Sequence, residues 1–518
     1  MSVIRSQHNR AGLARQTPTR QSTYDHAILV LTTIGRFLRR LLIACVLFIS
    51  YSLTRPPYLS LTYGTDGGEL TTAAATFGIA HPPGYGLFTL VTGLAMRIIP
   101  GDSTVQKMQI IAHLTAIALS LLVGMIASAL IAEPRRREQV FTLAALLCGW
   151  SRPVWEQALM IEVYLFLALL IAGILYLVTL QNKGRWTYLM IGHVIGLAVT
   201  HHLTALLWLP GLAILLLQKG LSRRLLWSLI GLITGLWPWL YLMLRAGHVA
   251  QANWGGIEQG REALIAHITA QEYRVFLQPV SLEAVLHGIV QWVSTLPAQI
   301  TPFGVILLLI GIAVLLHERK WGGLLASVLW IVGVAGFTGL YRAPQTQAAY
   351  TLGLIILIVM ITTRGVMRLI GEGSGWIMWG VPLLLVVAHA QNLDQRDDMS
   401  GLDFLARVNR LAPPHAVVLV ERDGETFLLW AAQTLEGWRP DLAIINGTLL
   451  YKDWYAASLA RLTPDLSLVG ATQAERLQSL YTTSRPIIAP RLIKPPPGMQ
   501  AVPLGEGWYC LVKARALC

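Results

Sequence analysis

The chain has 518 residues, of which 54% are hydrophobic and 13% are Asp, Glu, Lys or Arg, and its formal net charge at pH 7 is +13. A soluble protein this apolar would lack the polar surface to cover itself, so the composition excludes an ordinary soluble domain and favours a polytopic membrane protein. The basic residues stand in short turns between apolar segments, which argues against nucleic acid as a partner. The four cysteines form no CxxC or Cys/His cluster, so no structural zinc site is indicated.

An N-terminal arm precedes a long series of apolar segments. Residues 1–34 begin as a polar stretch rich in Arg, Ser, Thr and Gln, and we predict a disordered cytoplasmic arm there. Between residues 35 and 391, about 11 apolar segments each approach the ~20 residues that a helix needs to cross a bilayer. The predicted spans lie near 35–54, 104–132, 139–152, 157–181, 186–200, 203–218, 224–245, 299–317, 321–341, 347–363 and 374–391.

Basic residues predict the orientation of these spans. Every second turn carries Lys or Arg, as at Arg135, Lys183 and Arg319, and the turns between them are poor in both. Cytoplasmic loops of membrane proteins show this excess. We therefore predict a cytoplasmic N-terminus in the plasma (inner) membrane, with the segment after residue 391 outside.

Two long loops are expected on the outer side, near 55–103 and 246–298. The first contains weakly amphipathic stretches near 67–78 and 84–99, separated by the helix-breaking sequence HPPG. These stretches predict interfacial helices that lie against the bundle.

The C-terminal part, residues 392–518, has a different pattern. Short strands are predicted at 416–420, 441–446, 486–489 and 509–512, and helices at 426–435 and 451–462. This alternation predicts a small extracytoplasmic α/β domain. Its sequence contains no Gly-rich phosphate loop and no nucleophile elbow.

The first outer loop begins with two carboxylates, Asp66 and Glu69, and contains His81. Asp66 follows the first span beside two glycines, where a carboxylate acts as a general base toward a hydroxyl or holds a cation. The alternative is helix capping, since Asp66 and Glu69 have the spacing of a capping box. His81 either binds a phosphate or braces the Pro-Pro turn, and the second interpretation is favoured.

Further polar groups stand in or beside apolar spans. Glu162 is a lone carboxylate in the sequence ALMIEVYLF; such a group usually faces the bundle interior, and its alternative role is an ion pair with Arg or His. His201 and His202 occupy an outer turn without the i, i+4 spacing of a helical metal pair. A phosphate or carboxylate ligand suits them better than a metal.

The second outer loop follows Arg245, which ends the seventh predicted span. A guanidinium suits a phosphate, and the alternative is an Arg that extends to the membrane interface. Asn253, Trp254 and Tyr273 follow in this loop. The two aromatic side chains either stack on a sugar or belong to an interfacial belt.

Taken together, these motifs resemble the protein O-mannosyltransferase-like branch of the GT-C membrane glycosyltransferases. The matching sequences are TDGGELTTAAATFGIAHPPGYGLF, WEQALMIEVYLF, GLAVTHHLTALLWLP, LYLMLRA, NWG, HITAQEY, RDGETFLLWAAQ and GWRPDLAIING. They span most of residues 58–450, and the first is long and specific. Three departures occur: Gly67 stands where relatives often have Ser, His201 stands where they often have Asn, and YRAPQTQ stands where they often have an acidic residue.

The resemblance implies a GT-C-like helical bundle, residues 35–391, whose first outer loop carries a catalytic Asp, here Asp66. It implies a polyprenyl-phosphate-linked sugar as the donor. Eleven further residues in or beside the matching sequences are candidates for substrate or donor binding. They are Glu69, His81, Tyr85, Glu162, Tyr164, His201, His202, Arg245, Asn253, Trp254 and Tyr273.

The sequence therefore predicts an inverting glycosyltransferase on the outer face of the membrane. It moves a sugar, expected to be mannose, to a hydroxyl on protein Ser or Thr, with Asp66 as the base and Arg245 with His202 at the leaving phosphate. A lipid or cell-wall glycan acceptor is the first alternative, and a transporter or flippase for an amphiphile is the second. A membrane scaffold is the third. A requirement for a divalent metal stays open, because one carboxylate is a poor cation site.

Overall fold

The computed structural model describes residues 20–130, 136–180, 184–218, 224–248, 252–343, 347–370, 377–466, 468–492, 495 and 498–513. Up to residue 389 these residues form helices joined by loops. The helices are α1 (Arg20–Thr54), α2 (Gly67–Thr76), α3 (Gly86–Ala95), α4 (Thr104–Ala129), α5 (Arg137–Trp150), α6 (Arg152–Leu159), α7 (Tyr164–Thr179), α8 (Arg185–His201), α9 (Leu209–Leu217), α10 (Leu225–Gly235), α11 (Pro238–Arg245), α12 (Arg261–Ile268), α13 (Leu282–His317), α14 (Trp321–Trp330), α15 (Gly336–Leu340), α16 (Gln347–Thr351), α17 (Leu354–Leu369) and α18 (Ile377–His389).

Within the described residues, five helical segments are long and apolar enough to cross a membrane. They are Val30–Thr54, Thr104–Ala129, Leu225–Arg245, Leu282–His317 and Trp321–Leu340. Shorter apolar helices accompany them at Gly86–Ala95, Tyr164–Thr179, Leu203–Leu217 and Trp379–His389. A multi-pass helical protein is therefore supported, and the count of about 11 spans stays a prediction.

Several boundaries differ from those predicted. Helix α1 begins at Arg20, inside the segment that was predicted to be disordered. The predicted span 157–181 is interrupted, because α6 ends at Leu159 and α7 begins at Tyr164. Helix α13 begins at Leu282, so the end of the predicted loop 246–298 is helical and continuous with the next span, despite a kink at Thr301.

Glycines allow two helices of the bundle to pack backbone against backbone. Gly192 and Gly196 of α8 face Gly231 and Gly235 of α10, and a Cβ atom at any of the four would overlap backbone atoms of the opposite helix. Small residues at four-residue spacing bring membrane helices together in this way, since van der Waals packing replaces the hydrophobic effect inside a bilayer.

The C-terminal part contains a five-stranded sheet flanked by helices. Its helices are α19 (Ser400–Leu411), α20 (Asp423–Glu436), α21 (Asp453–Leu462) and α22 (Gln473–Leu480), and its strands are β1 (Val417–Val420), β2 (Ala443–Asn446), β3 (Ile487–Ala489), β4 (Met499–Gly505) and β5 (Trp508–Lys513). The strand order is β2-β1-β3-β5-β4. Strands β2, β1 and β3 are parallel, and β5 pairs antiparallel with both β3 and β4.

The C-terminal sheet shares a hydrophobic core with the first loop. Leu70 and Ala73 of α2 belong to the same buried cluster as Phe427 and Leu428 of α20. Helix α2, which was predicted to lie at the membrane interface against the bundle, contacts α4 and packs on α20, with Leu70, Ala73 and their neighbours buried. Its position relative to the membrane stays a prediction. The contact of α2 with α20 brings the start of the first loop and the C-terminal sheet together.

Gly68 permits this close packing, and the substitution Gly68→Ala tests it. A Cβ atom at this position would overlap the backbone carbonyl oxygen of Phe427, and backbone cannot rotate aside as a side chain can. We expect the free energy of unfolding to fall by about 1–3 kcal/mol, the usual effect of overpacking. Thermal unfolding in detergent measures this. Gly35→Ala is the matched control, because a Cβ there meets no atom within 4 Å; equal stability of the two variants would contradict the prediction.

Candidate active site

Asp66 lies immediately before α2 and occupies its N-cap position. Its main-chain oxygen accepts the helical hydrogen bond from the Leu70 N–H at 2.9 Å. Among the described residues, however, its carboxylate accepts no capping hydrogen bond, and the side chain is 33% exposed. The backbone of Asp66 therefore caps the helix, and its side chain is left for other chemistry.

Glu69 is fully buried, and its carboxylate accepts three hydrogen bonds. The donors are the His81 N–H at 2.8 Å, His81 Nδ1 at 2.5 Å and the Trp254 indole N–H. A buried carboxylate is stable only when it is paired and hydrogen-bonded, as this one is. Glu69 was predicted to bind the donor or to cap the helix; its hydrogen bonds to His81 and Trp254 orient the residues around Asp66, and a contact with the donor stays a prediction.

His81 lies between the two carboxylates. Burial by itself lowers the pKa of an imidazole, but the contact with Glu69, helped by Asp66 and Glu162, raises the pKa of His81 to about 10. The ring is therefore an imidazolium at neutral pH. Its Nε2 lies 3.9 Å from Asp66 Oδ2 and 3.4 Å from the Tyr85 hydroxyl. Glu69, His81 and Asp66 thus form a row of alternating charges that ends at the partly exposed Asp66 carboxylate.

A group of rings surrounds this row. The Tyr85 ring centroid lies 5.2 Å from that of His81 and 6.2 Å from that of His202. The Tyr164 centroid lies 5.6 Å from that of His202, and the Tyr273 centroid lies 6.3 Å from that of His81. The structure therefore brings these sequence-predicted aromatic residues together around His81 and His202.

The two adjacent histidines have different roles. His201 is fully buried, and its Nε2–H donates to the Val163 carbonyl at 2.9 Å, which fixes the chain beside Glu162. Nδ1 of His202 accepts from the Thr204 backbone N–H at 3.2 Å. Nδ1 also lies 2.8 Å from the Thr204 hydroxyl oxygen, so these two contacts fix the His202 ring just after α8.

Glu162 stands in the break between α6 and α7, outside both helices. It is half-buried and interacts electrostatically with Asp66 and His81. Glu162 was predicted to lie in a span and to face the bundle interior; the structure places it between two helices, and its role stays a prediction. Its separation from a helical span explains how a carboxylate is accommodated in such an apolar sequence.

Arg245 and Asn253, which were predicted to bind the donor, make hydrogen bonds to nearby backbone. The Arg245 Nε–H donates to the Phe77 carbonyl at 2.6 Å, so this guanidinium satisfies the C-terminus of α2. Asn253 is buried; its Oδ1 accepts from the Ile79 N–H at 2.8 Å, and its Nδ2 donates to the His248 carbonyl at 2.7 Å. Both side chains support the loop that carries His81.

Two residues near Asp66 were missed by sequence reasoning. Tyr350 of α16 lies 5.5 Å from the His202 ring and 5.6 Å from the Tyr164 ring, measured between centroids. Asp423, at the start of α20, interacts electrostatically with Asp66 and Glu69; desolvation and these carboxylates raise the pKa of Asp423 to about 6. The feature of the sequence that pointed to Asp423 was the matching segment RDGETFLLWAAQ, and no feature of the sequence pointed to Tyr350.

A cavity of about 790 Å³ adjoins these rings. Ser281, His287 and Gln291 line it from one side, and Thr338, Tyr341 and Arg342 from the other. The Tyr341 ring lies 5.6 Å from that of Tyr350, so a line of rings leads from the cavity to His202. In the described part of the chain, no group of three or more His, Cys, Asp or Glu is placed to hold a metal ion.

Comparisons with known proteins identify relatives of this chain. Residues 66–225 match the protein O-mannosyl-transferase TMEM260 N-terminal domain, and residues 399–472 match TMEM260-associated domain 2. The chain is 24% identical over 461 residues to protein O-mannosyl-transferase TMEM260 of Mus musculus, and 24% identical over 497 residues to that of Dictyostelium discoideum. Each match covers 81% of this chain but only 64% and 59% of the relatives. These matches confirm the resemblance to the O-mannosyltransferase-like family.

The solved structure of ArnT from Cupriavidus metallidurans has a similar fold. Bound to undecaprenyl phosphate, it superimposes with a TM-score of 0.54 at 13% sequence identity, covering 92% of this chain and 98% of ArnT. In the apo state the TM-score is 0.56 at 12% identity. This likeness shows that the two chains share a fold.

Proposed function

We propose that the protein transfers a sugar, with mannose as the leading candidate, from a polyprenyl-phosphate donor to a Ser or Thr hydroxyl of a protein. The observation that carries this proposal is the Asp66 carboxylate, which is 33% exposed and makes no capping hydrogen bond to α2, beside the buried His81–Glu69 ion pair. The relatives that share its sequence are named protein O-mannosyl-transferases. Because the chain spans less than two thirds of their length, its activity and substrates are proposals.

The arrangement supports an inverting displacement. Asp66 takes the proton of the acceptor hydroxyl while that oxygen attacks the anomeric carbon from the face opposite the phosphate. The new bond joins the anomeric carbon to the acceptor oxygen, the bond to the phosphate oxygen breaks, and polyprenyl phosphate leaves with the bonding electrons. The His81 imidazolium, whose Nε2 lies 3.9 Å from Asp66 Oδ2, holds the Asp66 carboxylate in place by charge attraction.

The cavity beside Tyr341 is the proposed binding site for the donor. Its guanidinium and imidazole groups, from Arg342 and His287, suit a phosphate. Leu282, Leu286 and Val290 of α13 are exposed at four-residue spacing next to the cavity, and they provide an apolar strip for an isoprenoid chain. Because Arg245 is hydrogen-bonded to the end of α2, Arg342 is the better candidate for the phosphate ligand.

The proposed reaction takes place on the outer face of the plasma (inner) membrane, with a cytoplasmic N-terminus. This part of the proposal rests on the alternation of basic turns in the sequence. Cysteines introduced near Trp254 are then expected to react with an impermeant label from outside intact cells. Labelling of that position only after the membrane is opened would place Asp66 on the opposite side.

A transfer assay in purified membranes tests the proposed function. Radiolabelled polyprenyl-phosphate mannose is supplied, and label is followed into protein, lipid and glycan fractions. Label in protein supports the proposal, and label in lipid or glycan supports the alternative acceptors. Movement of labelled lipid across the bilayer without transfer to any acceptor would support a transporter.

Arg342→Gln tests the donor site. Loss of one charge-assisted hydrogen bond to phosphate removes about 1.5–3 kcal/mol, so we expect the KM for the donor to rise about ten-fold or more, because 1.4 kcal/mol corresponds to a factor of ten. The KM for the acceptor stays unchanged. Arg261→Gln, at an exposed Arg at the start of α12, is the matched control. A donor KM equal to that of the native chain would remove Arg342 from the site.

A further inference from the structure

The end of β1 in the C-terminal sheet faces the catalytic loop. Helix α20 follows β1 after two residues, and its first turn packs on the segment before α2. A Cβ atom at Gly424 would lie 3.1 Å from the Cβ of Thr65, which is the neighbour of Asp66 in sequence. The segment that carries Asp423 therefore lies directly beside the segment that carries Asp66.

This end of the sheet is the place where α/β domains bind ligands. Strand β1 lies between β2 and β3 in the sheet. The chain therefore passes from β1 to β2 on one side of β1 and later to β3 on its other side. Ligands of such sheets occupy the crevice outside the carboxyl ends of the parallel strands, at the position where the strand order reverses. Asp423 follows β1 and Arg491 follows β3, so both flank that crevice.

Asp423 is held in place by neighbours on the sheet. The Asn446 Nδ2 donates to Asp423 Oδ1 at 3.4 Å and to Thr426 Oγ1 at 2.8 Å. Asn446 Oδ1 in turn accepts the backbone N–H groups of Thr448 and Leu449. Close by, Arg491 Nη2 donates to Glu425 Oε1 at 2.5 Å. Asp423 as a residue is exposed to solvent, while its carboxylate is held by Asn446 and partly desolvated by its neighbours.

We propose that the C-terminal sheet forms the acceptor side of the active site and that Asp423 binds the acceptor polypeptide next to the hydroxyl that Asp66 deprotonates. This inference rests on the proposed function. Helix α20, whose first turn lies beside the segment that carries Asp66, belongs to the C-terminal α/β part of the chain and not to the apolar helices. This position favours a polypeptide acceptor that arrives from water. A carboxylate there accepts hydrogen bonds from backbone N–H or side-chain hydroxyl groups of the peptide.

The acceptor KM separates Asp423 from a merely structural residue. With polyprenyl-phosphate mannose as donor and a synthetic peptide bearing one Thr as acceptor, Asp423→Asn is expected to raise the acceptor KM about ten-fold, with the donor KM unchanged and kcat within about two-fold. Glu421→Gln is the matched control, because Glu421 is an exposed acid at the end of the same strand. It is expected to behave as the native chain does.

The pH dependence provides a second measurement. Burial, and then the charges of Asp66 and Glu69, raise the pKa of Asp423, against the opposing effects of His81 and Asn446, while Glu425 and Arg491 neutralise each other nearby. The group is ionised above a pH of about 6. The acceptor KM of the native chain should therefore rise as the pH falls below that value, and the KM of Asp423→Asn should not.

A cross-linking measurement decides the inference even if no sugar is transferred. The same peptide, carrying a photoreactive diazirine side chain beside its Thr, is irradiated with the full chain in the absence of donor. Cross-links to residues 421–426 that are lost in Asp423→Asn and kept in Glu421→Gln support the inference. Transfer by the native chain with an unchanged acceptor KM in Asp423→Asn would overturn it and leave the proposed function standing. Absence of both transfer and cross-links to this segment would overturn both.

Discussion

Asp66→Asn is expected to lower kcat for sugar transfer by about 10²–10⁴-fold, the contribution of a positioned general base. The amide has the size of the carboxylate and cannot take a proton from the acceptor hydroxyl. Because the Asp66 carboxylate makes no capping hydrogen bond to α2, the helix and the fold are expected to persist. Transfer kinetics with purified protein, at equal amounts of native chain and variant, give kcat and both KM values.

Asp102→Asn is the control for this prediction, because Asp102 is an exposed acid in the same loop. A KM increase without a loss of kcat in Asp66→Asn would show that Asp66 binds a substrate and is not the base. Full activity of Asp66→Asn would contradict the proposed mechanism. Glu69 cannot act as the base in place of Asp66, because its carboxylate already accepts three hydrogen bonds.

Glu69→Ala is expected to lower the free energy of unfolding by about 3–5 kcal/mol, the usual result of removing one member of a buried ion pair. Three donors lose their acceptor: the His81 N–H, its Nδ1–H and the Trp254 indole N–H. The loop that carries His81 and Tyr85 then loses the hydrogen bonds that His81 donates to Glu69 of α2. Thermal unfolding in detergent measures the change, and Glu258→Ala, an exposed acid in the second loop, is the control.

The same ion pair predicts how stability depends on pH. The folded-state pKa of His81 is raised to about 10, above its value of about 6.5 in an unfolded chain. The folded protein therefore binds the proton more tightly, and the stabilisation is complete below about pH 6.5 and is lost as the pH rises toward 10. Across this window the native chain should lose stability with a steeper slope than Glu69→Gln, in which the amide cannot pair with the imidazolium. Equal slopes would show that His81 is not charged.

Much of the secondary structure was predictable because it rests on local pattern. Strands β1, β2, β3 and β5 lie where alternating or buried apolar runs predicted them. Strand β4 was missed because it contains Pro503, which suits an edge strand and breaks the usual pattern. The start of α13 was missed because Glu283, His287 and Gln291 interrupt the apolar run; these side chains line the cavity.

The sequence by itself determined that this chain is an apolar, multi-helix protein with an uncommon acid at the start of its first long loop. Hydropathy, helical period and turn residues are local properties, and they survive in a single sequence. Only the tertiary structure decided which polar groups meet. Arg245 turns to α2, Glu69 pairs with His81 and Trp254, and Asp423 comes from the far end of the chain to lie beside Asp66. Such contacts join residues that are distant in sequence, so their partners follow from how the elements pack and not from any local pattern.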